Sequence, residues 1–336
     1  VDDGELFYAD FSASDDGSRL AFVAEGPETP PDVNVSPAAD FSPRRLTEVN
    51  PQAPRSGLGE QRVVSWTSSA GGETIEGVLT LPVGHEQGDR VPLLVDVHGG
   101  PSGVDGMDYK AGGYAYPTQV FAGLGYAVLQ PNYRGSTGYG ERFRQLIRGH
   151  ISGDEWRDIS SGVDHLVEEG LADPDRLGLM GWSYGGHQTY WGITRTDRFA
   201  AASAGAGATD LISMYSQTDI PGFYHTYLGP KPWEDFALYE ERSSYRYVER
   251  VTTPLLIQVG EEDERVPAEQ SIQFYEAVKS IGKVPAVKLV QYPGQSHGVD
   301  EPRLRRDLMT RNVKWFARWI PTARSREAGF GAEDGR

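Results

Sequence analysis

From about Arg62 onward the chain alternates short, unbroken apolar runs with segments whose apolar residues recur at helical spacing. Residues 91–97 (VPLLVDV), 126–130 (YAVLQ), 176–180 (RLGLM), 199–204, 254–259 (PLLIQV) and 287–292 read as strands, and 74–81 (TIEGVLTL) alternates like a half-buried one. Trp156, Ile159, Val163 and Leu166 mark a helix. So do Ile272, Tyr275 and Val278 after Pro267, and Leu304, Leu308, Trp315 and Trp319 near the end. Strands without polar alternation are buried on both faces. Strands that alternate with helices therefore predict a doubly wound, mostly parallel α/β sheet with helices on either side.

One junction in this series carries chemistry. Gly181-Trp182-Ser183-Tyr184-Gly185-Gly186 follows a strand and opens a helix, the context that a G-x-S-x-G nucleophile turn requires. Such a turn lifts a serine hydroxyl out of the sheet, and side chains on the flanking glycines would collide with neighbouring elements. It also aims a helix N-terminus at a developing oxyanion. Ser183 is the expected nucleophile.

A serine hydroxyl needs a base, and the base needs an orienting carboxylate. Of seven histidines only His187, His225 and His297 follow Ser183. His187 falls inside the helix after the turn, and His225 lies in a Tyr- and Pro-rich stretch, 213–250, that reads as an insertion over the C-terminal edge of the sheet. His297, in GQSHG between the last strand and the last helix, stands where the base belongs. The acid is expected after PLLIQV, where Glu261, Glu262, Asp263 and Glu264 run together. Composition leaves that choice open. Asp263 is preferred because a short carboxylate three residues past a strand-ending glycine can turn back into the site. The second oxyanion donor is expected from Gly99 and Gly100 in the HGGP after VPLLVDV, where consecutive glycines allow close backbone approach.

Other classes are excluded or disfavoured. Zero Cys among 336 residues excludes a disulfide framework, a zinc ribbon and a cysteine nucleophile. There is no H-E-x-x-H and no G-x-x-x-x-G-K-[ST], so neither metal nor cofactor is expected. The GSTGYG loop at 135–140 lacks dinucleotide spacing and reads as structural. No apolar run approaches the roughly 18 residues of a membrane span, and a net charge of −16 argues against a nucleic-acid partner. Cytoplasmic localisation is the expectation, although a chain that opens on Val1 carries no readable address; self-association is left open.

The motifs DVHGGP, PNYRGSTGYG, GWSYGG, GEEDERVP and GQSHG occur in one order across 91–298. Together they resemble the prolyl oligopeptidase family of serine peptidases, and especially its acylaminoacyl-peptidase-like branch, over about 62–320. The resemblance implies an α/β-hydrolase fold with Ser183, Asp263 and His297 as triad. It also implies oxyanion stabilisation by the backbone of Tyr184 and of the Gly99-Gly100 loop. In that branch the Arg two residues after the acid, here Arg265, holds a substrate carbonyl. The implied function is hydrolysis of short aminoacyl or acylaminoacyl peptides through an acyl-enzyme, with a carboxylesterase on the same fold as the alternative. A catalytically silent hydrolase-fold binding module is disfavoured, because all three triad positions are filled.

Residues 1–61 read differently. Apolar runs near Leu6–Tyr8 and Leu20–Val23 flank a DDGS turn and predict a hairpin, resembling the last blade of the β-propeller that family members carry. Pro27, Pro30 and Pro31 make a wider sheet less expected, since each removes a ladder donor. The expected organisation is a β-rich segment over 1–61, a catalytic domain over 62–322 and a polar tail over 323–336.

Overall fold

The computed structural model describes residues 6–53, 57–110 and 114–330. Its first part is a four-stranded antiparallel sheet in the order β1 (Phe7–Ala13), β2 (Arg19–Gly26), β3 (Thr29–Pro37), β4 (Arg44–Arg45). The expected hairpin joins β1 to β2. Asp16 ties its turn by accepting from the Ser14 hydroxyl and from the amide and hydroxyl of Ser18, and these bonds lower its carboxyl to about 2. The expectation against a wider sheet is corrected, because Pro30 and Pro31 lie within β3. The pairing runs Ala24 to Asp32 and then Gly26 to Thr29, so two residues of β3 face one of β2. Both prolines occupy that bulge, where the ladder is irregular and a missing donor costs little.

The second part is an eight-stranded sheet in the order β12-β11-β10-β9-β7-β8-β6-β5. Its antiparallel edge is β5 (Gln61–Thr67) and β6 (Thr74–Thr80). Then come β7 (Val91–Val97), α1 (Thr118–Gly123), β8 (Ala127–Asn132), α2 (Gly140–Gln145), α3 (Asp154–Glu168), β9 (Ala172–Trp182) and α4 (Tyr184–Ile193). The remaining strands are β10 (Ala201–Gly205), β11 (Leu255–Gly260) and β12 (Val287–Tyr292). From β8 to β12 the pairs are parallel, and every residue of β8, β10 and β11 is buried. This is the expected mostly parallel sheet of an α/β-hydrolase.

Two apolar layers clamp it. α3 and α4 cover one face through Trp156, Ile159, Val163 and Tyr190, while α9 (Pro302–Trp319) covers the other through Leu308, Val313 and Phe316. The stretch 213–250 falls mostly within α5 (Leu211–Gln217), α6 (Gly222–Leu228), α7 (Phe236–Arg242) and a 3-10 helix over Ser244–Arg250. α8 (Ala268–Ile281) follows β11.

The polar tail expected from residue 323 is a further correction. α10 (Ala323–Glu327) starts on a capping box between Thr322 and Ser325, and the Thr322 hydroxyl donates to the Leu124 carbonyl at 2.5 Å. Ser325 is buried and Phe330 packs on the second apolar layer, so the segment is part of the fold as far as residue 330; residues 331–336 lie outside the described residues. No helix among the described residues is long and apolar enough to cross a membrane.

Candidate active site

The elbow forms where the sequence expects it. β9 ends at Trp182, α4 begins at Tyr184, and Ser183 between them has φ 61° and ψ −121°, a left-handed conformation that a non-glycine residue adopts only under constraint. The constraint is visible atom by atom. A Cβ on Gly185 would lie 1.8 Å from the Val97 carbonyl oxygen, one on Gly186 would lie 2.2 Å from that of Gly205, and one on Gly181 would meet Gly185 at 2.5 Å. The helix can start this close to β7 and β10 only because these positions are glycine. The Ser183 amide donates to the Gly205 carbonyl at 2.8 Å and fixes the turn.

His297 Nε2 lies 2.8 Å from Ser183 Oγ, and His297 Nδ1 lies 2.8 Å from Asp263 Oδ2. The three predicted triad residues, from the ends of β9, β11 and β12, form one hydrogen-bonded chain. Asp263 has a fully buried side chain, and its Oδ1 also accepts the backbone N–H groups of Arg265 and Val266 at 3.0 and 2.8 Å. The carboxylate is thereby oriented before any substrate binds. With Nδ1–H donated to Asp263, Nε2 is the free acceptor for the serine proton. Of the four acids in that run, Asp263 is the one hydrogen-bonded to the histidine. The His297 carbonyl accepts from Trp182 Nε1 at 2.9 Å and pins the base loop to the elbow.

Both loops expected to stabilise an oxyanion lie against Ser183. A Cβ on Gly99 would sit 3.3 Å from that of Ser183, so the HGGP backbone passes directly against the nucleophile, and Gly100 lines the same pocket as Ser183 and Tyr184. Tyr184 is the first residue of α4, and its N–H has no acceptor inside the helix. His98 holds the loop from behind: its ring stacks on Tyr133 at 4.4 Å and Nε2 lies 2.9 Å from the Ser136 hydroxyl. The GSTGYG loop therefore supports the oxyanion loop.

Beside the nucleophile lies a cavity of about 240 Å³ walled by Ile151, Leu211, Met214, Ile220 and Phe223. Most of this wall comes from α5, α6 and their connection, so the insertion builds the pocket. His187 forms part of the lining as a neutral group. Burial lowers its pKa to about 4, while Nδ1 lies 2.9 Å from the Ala208 carbonyl and Nε2 lies 2.7 Å from the Ser152 hydroxyl. Behind it Glu155 is fully buried and accepts from Ser152 N, Gly153 N, Tyr184 Oη and Gln188 Nε2; burial raises its pKa. Sequence reading missed Glu155, whose only signal was an acid at the start of an otherwise apolar helical face.

Arg265 also reaches the pocket, but not alone. Its Nε and Nη2 donate to the two oxygens of Asp219 at 2.7 and 3.1 Å, a bidentate pair that no sequence signal announced across 46 residues. The Thr218 hydroxyl donates to the Arg265 carbonyl at 2.7 Å, so the insertion is tied to the acid loop.

Comparison with known proteins places this geometry. The signature of the prolyl oligopeptidase family matches residues 113–322. The chain is 36% identical over 250 residues to the uncharacterized peptidase YuxL of Bacillus subtilis, covering 73% of this chain and 37% of that protein. It is 32% identical over 243 residues to the acylamino-acid-releasing enzyme of Arabidopsis thaliana, covering 70% and 31%. Among solved structures, acylaminoacyl peptidase of Pyrococcus horikoshii superposes with a TM-score of 0.85 at 28% identity, over 100% of this chain and 52% of that one. The chain thus spans about a third to a half of the length of these relatives.

Proposed function

The chain belongs to the prolyl oligopeptidase family, and from that premise we propose that it is a serine peptidase hydrolysing short aminoacyl or acylaminoacyl peptides. The observation that carries the reading is the unbroken chain from Ser183 Oγ through His297 to buried Asp263, at 2.8 Å for each step, beside an apolar cavity. His297 Nε2 takes the Ser183 proton as Oγ attacks the scissile carbonyl, and the N–H groups of Tyr184 and the Gly99-Gly100 loop hold the oxyanion. The same histidine then hands the proton to the departing amine, leaving an acyl-serine that water cleaves by the reverse sequence. The cavity takes an apolar side chain of the acyl half. Arg265, with one edge on Asp219, keeps Nη1 for a peptide carbonyl of that half.

The related enzymes named as acylamino-acid-releasing or acylaminoacyl peptidases support this substrate class. A carboxylesterase is the second reading, and the Asp219 pair favours it, because that contact already engages part of the guanidinium. Turnover of an aminoacyl anilide, an N-acetyl-aminoacyl anilide and a p-nitrophenyl ester separates the two. Hydrolysis of either anilide supports the peptidase, and activity confined to the ester supports the esterase. A cytoplasmic setting belongs to the same proposal and is tested by fractionation of producing cells. No nucleic-acid partner is proposed, in keeping with the net charge of −16.

A further inference from the structure

A second cavity, of about 280 Å³, shares no lining residue with the apolar pocket: its Ala115 and Tyr116 belong to the apolar layer that includes α9, whereas Leu211 and Met214 of the first pocket belong to the other layer. Its lining includes Gly99 and Trp182, the residues that touch and precede Ser183. Part of the lining is polar. Asp96, at the end of β7, and Gln130, beside it on β8, point into it together with Asp108 and Lys110. Three carboxyl groups share this region with one ammonium. Lys110 Nζ lies 2.7 Å from Asp108 and 3.4 Å from Asp105, whereas Asp96 has no cation in ion-pair range and touches only Gln130 Nε2, at 3.3 Å. Gln130 is 6% exposed, and its Oε1 is buried without a hydrogen-bond partner. Burial and the neighbouring Asp105 push the Asp96 carboxyl up to about 8 against the opposing pull of Lys110, so it is held protonated near neutral pH.

Once an arriving cation displaces that proton, the Asp96 carboxylate and the unpaired Gln130 carbonyl form an acceptor pair, and a buried acceptor without a donor is costly. A group with several N–H donors and a positive charge meets both needs, since charge-assisted hydrogen bonds are the stronger kind. We propose that this cavity is a subsite for a primary ammonium on the leaving half of the substrate, a lysine-like side chain whose Nζ is received by Asp96 and Gln130. The two cavities then select opposite chemistry, apolar on the acyl side and cationic on the leaving side. This inference rests on the peptidase reading and can fail without it.

The test has two arms, both on the full chain. Peptides sharing one N-acetylated apolar acyl half and carrying lysine or norleucine at the first two leaving positions are compared by kcat/KM. Lysine should be preferred by about tenfold, the scale of one charge-assisted contact. That preference should vanish in Asp96→Asn and weaken in Gln130→Met. In the second arm, binding of N-acetyl-lysinamide and N-acetyl-norleucinamide is measured by calorimetry, which requires no turnover. Tighter binding of the lysine probe, lost in Asp96→Asn, supports the subsite. Equal binding of both probes, or a lysine preference untouched by Asp96→Asn, overturns it and leaves a water-filled cavity. If no peptide is cleaved while the lysine probe still binds through Asp96, the peptidase reading fails and the cation site stands.

Discussion

The two sheets of this molecule are built on opposite economies of burial. In the eight-stranded sheet β10 and β11 are buried along their whole length, and apolar layers press on both faces. In the four-stranded sheet the apolar core is Tyr8, Phe22 and Ala24, and the inward residues of β3 include Asp32, Asn34 and Ser36. Asp32 is held there by the Thr47 hydroxyl, the Val49 amide and Arg45, so this sheet is stitched by polar contacts as much as packed. Phe7, Phe11 and Phe41 remain 40–45% exposed on it. A twisted sheet buried on both faces can hold a strained serine at φ 61°, because the surroundings over-determine it. The thin sheet has its own left-handed residue, Asp10 at φ 53°, but that one sits exposed at the β1 irregularity between Ala9 and Ser12, not locked between packed layers, and the candidate site lies in the other sheet.

The contrast is broken first at the elbow. Gly185→Ala should abolish turnover and destabilise the hydrolase unit, because the added methyl would overlap the Val97 carbonyl; a variant with wild-type activity and melting temperature would show that the helix is not held against β7. Asp263→Asn comes next. It keeps the shape but disturbs the histidine tautomer, and kcat should fall about 10³–10⁴-fold with little change in circular dichroism. Glu262→Gln should stay near wild type, and the reverse ranking would move the acid. Arg265→Ala should lower kcat/KM for an acylated dipeptide by about tenfold through loss of one charge-assisted contact, and much less for a small ester. Equal losses on both would make the Asp219 pair purely structural.

The N-terminal sheet should respond in another currency. Phe22→Ala removes a ring that is 1% exposed and packs on Tyr8, Phe11 and Phe41 at 5.2–5.4 Å. It should cost that sheet about 3 kcal/mol and open residues 6–53 to limited proteolysis, while labelling of Ser183 changes less than twofold. Loss of labelling in parallel with cleavage would mean that the sheet supports the site. A further effect is expected on the pH profile of stability. Asp96 has its native pKa raised to about 8 from an ordinary 3.8, so the native state binds a proton that the unfolded chain releases. Stability attributable to this group is therefore present below about pH 4 and is lost as pH rises toward 8. Asp96→Asn, which mimics the protonated form, should melt higher than wild type at pH 8 and alike at pH 4. A melting temperature that drops at pH 8 would show that Asp96 is ionised and paired.

What the sequence discloses follows from the range of the interactions involved. The elbow is legible because strand, glycines, serine and helix are contiguous, and His297 because it lies in the loop between the last strand and the long helix after it. The triad follows from chain order even though its members meet across 114 residues. Hidden features depend on contacts between distant segments. Asp219 gains its meaning from a guanidinium 46 residues away, and Glu155 from donors on α4. Pro30 and Pro31 read as strand breakers because a bulge, which depends on the register of the partner strand, is invisible to local propensity. In the same way, the helix over Ala323–Glu327 is hidden in a charged sequence because its anchor, Thr322 on the Leu124 carbonyl, spans 198 residues.

The central claim is that Ser183, activated by His297 and Asp263, is the nucleophile of a peptide-cleaving site. The most direct measurement exposes wild type and Ser183→Ala to a fluorophosphonate probe and, in parallel, to an N-acetyl-aminoacyl anilide. The account predicts one covalent label on wild type that maps to Ser183, none on the variant, and a loss of anilide turnover of at least ~10³-fold. Equal labelling of the two proteins, or anilide hydrolysis that survives the substitution, would contradict it.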